Sequence, residues 1–310
     1  MNNPTASSSA ANIGTLAYVA LLGAILFWSS VPLFLKYFTT KLDALTVNGL
    51  RYGFAALLLL PAVWRYDARR MPGRNIWRDA LIPAVVNTLG QVGWALAPYF
   101  IPASLMGFGI RSAFFFTLFA SLWLLPEERY LARSPQFWIG GAICIAGITA
   151  LFSSSLVHAR TSPAGLAILF ATALVWGFYG VSVRKYMQGY ATQHSFGVIG
   201  LYTAAALLVL MFAFGDSRAA LSMGGFPFAL LLISAALGIA VAHVLMYYVI
   251  SRLGPLIESG GEFMTPFLTF AGAALLFHER LNPWQWAGGL GVIAGSLLMV
   301  RAHRGPVETP

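Results

Sequence analysis

The chain has 310 residues, of which 58% are hydrophobic and only 9% are charged, with a formal net charge of +9. A soluble domain carries about a quarter charged residues, so this composition excludes an ordinary soluble protein and indicates a polytopic membrane protein. The basic residues lie between apolar stretches, where membrane topology explains them, so we expect a lipid bilayer and no nucleic acid as partner. The single cysteine, Cys144, excludes an internal disulfide and a cysteine-cluster metal site, and no cofactor is predicted.

Ten segments of about 20 mostly apolar residues are long enough to cross a bilayer core as helices. Unbroken runs such as "AALLLLPAVW" do not alternate as the strands of a membrane barrel do, so the predicted fold is all-α. Residues 1–13 form a polar tail that we expect to be mobile, and residues 303–310 form the C-terminal tail. The predicted spans are 14–37, 44–64, 80–100, 103–125, 136–153, 163–184, 194–214, 228–250, 255–277 and 283–301.

The sequence contains an internal repeat. "LFWSSVPLFLKYF" from Leu26 resembles "LVWGFYGVSVRKY" from Leu174, and "LLPEERYLARSPQFWIGGAICIAG" resembles "LLFHERLNPWQWAGGLGVIAG" later in the chain. Each unit, 14–153 and 163–302, therefore holds five spans, and an odd number forces the two units to enter the membrane from opposite sides. Inverted repeats of this kind are typical of secondary transporters, whose substrate sites lie near the midplane.

Loop charges predict the orientation. Lysines and arginines number 12 on one side of the predicted spans and 5 on the other. The side richer in these residues faces the cytoplasm, which places both termini there.

Two residues of opposite charge occupy equivalent positions within predicted spans. Arg111 of span 4 aligns with Glu262 of span 9 at an offset of 151. At 1.5 Å per residue they differ in depth by about 8 Å, which predicts a shared cavity and argues against a direct contact. A guanidinium and a carboxylate suit the two ends of a zwitterion; the alternative is a pair that only ties the two units together.

Span 9 carries further polar and helix-breaking residues around Glu262. Glu258 lies one turn earlier on the same helical face, where we predict a residue at the water interface. Pro266 removes a backbone hydrogen bond and is expected to kink the helix. Gly260 and Gly261 favour either a broken helix that exposes backbone groups to substrate or close helix contact.

Two more spans present polar faces. Asn87, Gln91 and Trp94 of span 3 share one helical face, which suits a cavity wall or hydrogen bonding between helices. His243 and Tyr247 of span 8 are also one turn apart. His243 is interpreted either as part of a proton relay or, more commonly for a membrane histidine, as a hydrogen-bonded structural residue.

Aromatic residues complete the candidate site. Trp28 and Trp176 occupy equivalent mid-span positions, away from the interfacial belts, and are predicted either to stack on a ligand or to fill the bundle. Tyr179 follows on the same span as Trp176. Arg51, near the start of span 2, is expected to reach the outer interface, and "GVIAG", Gly291 to Gly295, predicts a surface for helix association.

The two five-span units, the tryptophans of spans 1 and 6 and the "GxxxG" after a Glu-Arg turn resemble the drug/metabolite transporter superfamily with EamA-type repeats. The region from "ISAALGIAVAHVLMYY" through Thr265 and Pro266 is similar to YddG-type amino-acid exporters. This resemblance implies a transporter of the bacterial inner membrane that exports aromatic and other neutral amino acids, with other metabolites or drugs as the alternative. It implies a central cavity open alternately to the two sides, lined by spans 1, 3, 4, 6, 8 and 9.

Other classes fit the sequence less well. An embedded enzyme needs a nucleophile–base or carboxylate–metal group, which the short loops do not offer, and Glu127 and Glu128 predict a solvated turn. A passive channel favours rings of charge or carbonyls. We therefore predict a transporter and not an enzyme, present as a monomer or weak homodimer.

The orientation is testable by impermeant thiol labelling of single cysteines on a Cys144→Ser background. A cysteine at position 70 should be protected in intact cells, and one within 154–162 should react. Labelling of position 70 from outside would reverse the predicted topology.

Overall fold

The computed structural model describes residues 4–303 except 39, 68, 70, 98–99, 101–108, 159–161 and 278–281. All its regular elements in these ranges are helical. The α-helices are α1 (Pro4–Phe38), α2 (Ala44–Trp64), α3 (Ile76–Asp79), α4 (Leu81–Leu96), α5 (Ala113–Leu124), α6 (Pro135–His158), α7 (Pro163–Met187), α8 (Thr192–Phe214), α9 (Ser217–Leu221), α10 (Gly225–Ala235), α11 (Ala242–Leu253), α12 (Pro255–Gly261), α13 (Met264–Phe277) and α14 (Pro283–Arg301).

Most predicted spans coincide with these helices, but several are interrupted. In the described part of the chain, six helices are long and apolar enough to cross a membrane, or seven if the pair Ile110–Leu124 and Pro126–Arg133, bent by 114°, counts as one span. Predicted span 8 contains a π-helix, Ala236–Val241, and predicted span 9 divides into α12 and α13. The start of predicted span 4 lies outside the described residues, and α1 begins earlier than predicted, at Pro4.

Helices α6 and α14 meet along a seam of glycines. A Cβ atom on Gly140 would lie 2.6 Å from the carbonyl oxygen of Gly295, and one on Gly147 would lie 2.6 Å from that of Gly288. The reverse contacts, from Gly295 to Gly140 and from Gly288 to Gly147, are also 2.6 Å. The two helices are therefore antiparallel and in reciprocal contact, as a pseudo-two-fold axis between repeats requires. The predicted glycine surface is confirmed as a contact between helices of this chain. Gly295 makes one of the two closest contacts, and Gly288, rather than Gly291, makes the other.

Loop contacts agree with the predicted alternation of sides. Arg74, in the loop after α2, donates to the carbonyl oxygens of Gln188 at 2.6 Å and Tyr186 at 2.5 Å, at the C-terminal end of α7. On the other side, the Asp216 amide donates to Asp43 Oδ2 at 2.9 Å. Each of these contacts joins two segments that the predicted order of spans places on the same side of the membrane.

The turn between α11 and α12 depends on Gly254, whose φ is +85°. A Cβ atom there would collide with Oε1 of Glu128. Gly224 has nearly the same φ, +80°, but nothing lies within 4 Å of its Cβ position. A comparison of substitutions at the two glycines therefore distinguishes the effect of backbone conformation from the effect of steric contact.

We expect Gly254→Ala to lower the thermal midpoint of the purified protein in detergent more than Gly224→Ala does. The backbone conformation alone, with positive φ and ψ near 160° at both positions, costs roughly 1–3 kcal/mol for an alanine, and only Gly254→Ala adds the collision with Glu128. Equal shifts for the two variants would show that the turn relaxes away from the carboxylate.

Candidate functional site

The centre of the site is a helix break caused by a proline. Helix α12 ends at Gly261 and α13 starts at Met264. Pro266 has no amide hydrogen, so the Glu262 carbonyl lacks the donor that an unbroken helix would supply four residues later. It accepts the Thr265 amide at 3.0 Å instead. The predicted disruption of span 9 by Pro266 is therefore present, and it leaves the Glu262 carbonyl oxygen able to accept a further donor.

Arg111 contacts the Glu262 carbonyl directly. It lies in a 3₁₀ turn, Ile110–Ser112, ahead of α5. Its Nη1 donates to the Glu262 carbonyl oxygen at 2.8 Å and lies 3.5 Å from Glu262 Oε2. The expected absence of a direct contact was wrong, because the estimate from straight helices ignored the 3₁₀ turn, the break and the reach of an arginine side chain.

The pair retains capacity for a ligand. The side chains of Arg111 and Glu262 are 17% and 25% exposed, so neither is fully buried. Among the described residues, the buried Arg111 Nε has no hydrogen-bond partner. A guanidinium has five N–H donors, so this unpaired Nε is a donor that an anionic group could take.

Glu258 lies behind this pair. It is 4% exposed, so the predicted position at the water interface was wrong: the short helix α12 is buried along its whole length, between Pro255 and Gly261. Glu262 follows one helical turn later, and its amide donates to the Glu258 carbonyl at 3.1 Å. Two acidic groups and one guanidinium thus form a continuous cluster.

Two indoles lie next to the 3₁₀ turn. The rings of Trp94 and Trp176 are 5.2 Å apart between centroids, and both contact the apolar cluster that contains Ile110. Gly90 allows this arrangement, because a Cβ atom there would collide with the Trp176 indole. An aromatic surface therefore adjoins the residue before Arg111.

Asn87 and Gln91 belong to a separate polar network between helices. The Asn87 amide donates to Thr203 Oγ1 at 3.1 Å and to the Tyr52 hydroxyl at 3.5 Å. The Gln91 side chain also bonds to Tyr52. Asn87 is fully buried, so the structure supports its interpretation as a residue that joins helices.

Trp28 and His243 are held in the scaffold. Trp28 Nε1 donates to the Gly238 carbonyl of the π-helix at 3.2 Å, and its ring meets His243 edge-on at 5.5 Å. His243 stacks on Phe196 at 4.4 Å, and its Nδ1 pairs with the Ile239 carbonyl at 2.9 Å. These contacts suit a structural histidine.

Arg51 does not reach the outer interface as predicted. It is 3% exposed, and its Nε donates to Ser234 Oγ at 3.1 Å. The interface prediction was wrong because the hydroxyl partner comes from α10, a distant part of the sequence.

A tyrosine pair and an arginine close the side of the cluster predicted to face the cytoplasm. The hydroxyls of Tyr179 and Tyr247 are 2.5 Å apart, and both residues are buried. Nearer the helix ends, Arg184 is 3% exposed and donates to the Ser251 carbonyl at 2.5 Å. Arg184 has no sequence signal that marks it as a buried contact, because a basic residue at a span end is the ordinary topology signal.

Glu128 also lies at this end, after predicted span 4. It is 2% exposed, so the predicted solvated turn holds a buried carboxyl group instead. Burial raises the pKa of Glu128 to about 7, and the guanidinium of Arg184 lowers it only in part. The described residues contain no group of three or more His, Cys, Asp or Glu side chains placed to hold a metal ion.

Comparison with known proteins identifies the class of the fold. The sequence pattern of the EamA-like transporter family matches residues 15–153 and 163–301, close to the two predicted repeats. A solved crystal structure, described only as that of a protein, superposes with a TM-score of 0.73 at 18% identity, over 93% of this chain and 98% of that one.

Similar proteins carry transporter names. The aromatic amino acid exporter YddG of Salmonella typhimurium (strain 14028s / SGSC 2262) is 26% identical over 298 residues, 91% of this chain and 96% of that protein. YddG of Escherichia coli (strain K12) is 30% identical over 183 residues, 59% of each chain. The uncharacterized inner membrane transporter YedA of Escherichia coli (strain K12) is 24% identical over 288 residues, 91% of this chain and 89% of that protein.

The buried carboxyl group of Glu128 predicts a pH-dependent stability. Its pKa is higher in the folded protein than in the unfolded chain, so the unfolded chain releases its proton first, and the free energy of unfolding falls as pH rises from about 4.5 to about 7. The full loss is roughly 3 kcal/mol.

Glu128→Gln removes this loss, so we expect it to raise the thermal midpoint at pH 8 and to have little effect at pH 5. Glu127→Gln is the matched control, because the Glu127 side chain is 33% exposed. A gain at pH 8 that is equal for both variants would contradict the assignment to burial of Glu128.

Proposed function

The chain belongs to the EamA-like transporter family, and on that premise we propose that it exports amino acids, aromatic and other neutral ones, from the cytoplasm. The observation that carries the proposal is the Arg111–Glu262 pair, which offers a cation and an anion at one helix break. An amino acid has one carboxylate and one ammonium group, so it matches both.

Arg111 binds the substrate carboxylate in this proposal. A guanidinium presents a planar fork that fits a carboxylate, and Arg111 already has Nε available while Nη1 is held by the Glu262 carbonyl. That hydrogen bond fixes the guanidinium in place, which lowers the entropic cost of binding.

Glu262 binds the substrate ammonium group, and the adjoining indoles receive the side chain. The Glu262 carboxylate lies 3.5 Å from Arg111. One small zwitterion bridges the two charged groups once these two side chains move slightly apart. Trp94 and Trp176 offer a surface on which an aromatic ring stacks. Trp28 is bonded to the π-helix, so we assign direct contact to Trp176 rather than to Trp28.

Transport requires that this site open to each side of the membrane in turn. The Tyr179–Tyr247 pair and the Arg184 contacts close it on the predicted cytoplasmic side, while Arg111 and Glu262 remain partly exposed. These features support an arrangement open away from the cytoplasm. Export then proceeds by rocking of the two repeats, with both termini cytoplasmic and the protein in a bacterial inner membrane.

The proposal predicts a selective loss in Arg111→Gln. Removing a hydrogen bond between charged groups costs about 1.5–3 kcal/mol, so the apparent KM for phenylalanine in proteoliposomes should rise about tenfold or more. The KM for 2-phenylethylamine, which lacks the carboxylate, should change much less.

Arg51→Gln is the matched control, because Arg51 is also a buried arginine but bonds to Ser234. We expect it to alter the two KM values by the same factor. Equal effects of Arg111→Gln on the amino acid and on the amine would remove the carboxylate-binding role from Arg111.

A further inference from the structure

Glu258 is 4% exposed and lies one helical turn before Glu262, and a single guanidinium, that of Arg111, adjoins the two acidic residues. Two ionised carboxylates there would leave one buried negative charge unbalanced, so one carboxyl group holds a proton. Glu262 is the carboxylate beside Arg111, at 3.5 Å, and the positive charge favours its ionised form, so the proton resides on Glu258. The cluster then consists of one guanidinium, one carboxylate and one neutral carboxylic acid, and its net charge is zero.

The surroundings of Glu258 add no other full charge among the described residues. Arg111 and Glu262 are the charged groups that act on it, and the neutral Tyr179 of α7 is a further titratable residue close enough to interact with it electrostatically. Towards the same short helix, α14 presents Ser296 and Met299 and α1 presents Leu21. Helix α11 contributes the apolar side chains of Val249 and Leu253, which belong to the same hydrophobic core cluster as Leu256 of α12.

The charge of a bound substrate decides what happens to this proton. A zwitterion brings one positive and one negative charge, so the site stays neutral while Glu258 keeps its proton. A substrate with a net charge of +1 leaves an unbalanced positive charge in a weakly solvated cluster. Breaking the O–H bond of Glu258 and releasing the proton to water restores neutrality, because the new carboxylate balances the added cation.

We propose that Glu258 holds an exchangeable proton that makes coupling depend on substrate charge. Zwitterionic amino acids bind without moving a proton, whereas a monocationic amine displaces one proton from Glu258. This inference rests on the proposed function, since it uses the same site and the same pose of the ammonium group near Glu262. It adds a proton-binding residue and a second class of ligand, organic monocations.

The test measures binding of phenylalanine and 2-phenylethylamine to the purified full-length protein in lipid nanodiscs between pH 6 and pH 8. If one proton is released on binding, the amine Kd should fall by about tenfold for each unit by which the pH rises. The phenylalanine Kd should stay nearly constant over the same range. In weakly buffered solution, a pH indicator should report one proton released per amine bound and none per phenylalanine.

Glu258→Gln imitates the protonated acid, so it should keep phenylalanine binding and make amine binding independent of pH. Glu128→Gln is the matched control: it removes another buried carboxyl group and should leave the pH dependence of amine binding intact. The proton count on the wild-type protein does not depend on whether either variant folds.

Failure of the inference and failure of the proposed function give different results. A wild-type protein that binds phenylalanine but releases no proton with the amine, or that binds no amine in this pH range, overturns the role of Glu258. Persistence of the pH dependence in Glu258→Gln also overturns it. A wild-type protein that binds the amine with proton release but does not bind phenylalanine supports Glu258 and contradicts amino-acid recognition.

Discussion

The hydrogen bond from Arg111 to the main-chain carbonyl of Glu262 connects the architecture of this protein to its chemistry. Pro266 cannot donate to that carbonyl, which instead accepts the Thr265 amide at 3.0 Å and keeps a second lone pair. Arg111, from the other repeat, donates to the same oxygen at 2.8 Å. One interaction therefore joins the two halves of the chain at the broken helix and fixes a guanidinium beside a carboxylate.

The surrounding structure divides into rigid and adaptable parts. The reciprocal glycine contacts between α6 and α14 bring two backbones within 2.6 Å of a hypothetical Cβ, which leaves no room for side chains at the seam. The Arg111 cluster, by contrast, lies among short helices, a 3₁₀ turn and a helix break. The proposed rocking of the two repeats would place its moving contacts among these short elements rather than at the glycine seam.

The sequence predicted the features that depend on period, composition and self-similarity. The two repeats coincide with the two matches to the EamA-like transporter family. The offset of 151 also paired Arg111 with Glu262, which lie in contact. The helix break followed from Pro266, since the loss of a backbone donor is a local property of the residue.

Features that depend on a distant partner were not predictable from one span at a time. Arg51 near a span end looked like an interfacial residue, but Ser234 buries it. Glu128 looked solvated, but the turn at Gly254 covers it. The π-helix, Ala236–Val241, has no local sequence signal that distinguishes it from an ordinary apolar helix, although its Gly238 carbonyl holds Trp28.

The most direct test of the central claim is phenylalanine counterflow in proteoliposomes containing the charge-exchanged variant Arg111→Glu/Glu262→Arg. A glutamate at position 111 neutralises an arginine at position 262, but it cannot donate to the main-chain carbonyl of residue 262, and it repels the substrate carboxylate. We expect the double variant to be recovered from the membrane yet to show little counterflow. Counterflow restored to the wild-type rate would contradict the account, because it would show that the two positions need only opposite charges, whichever residue carries which sign.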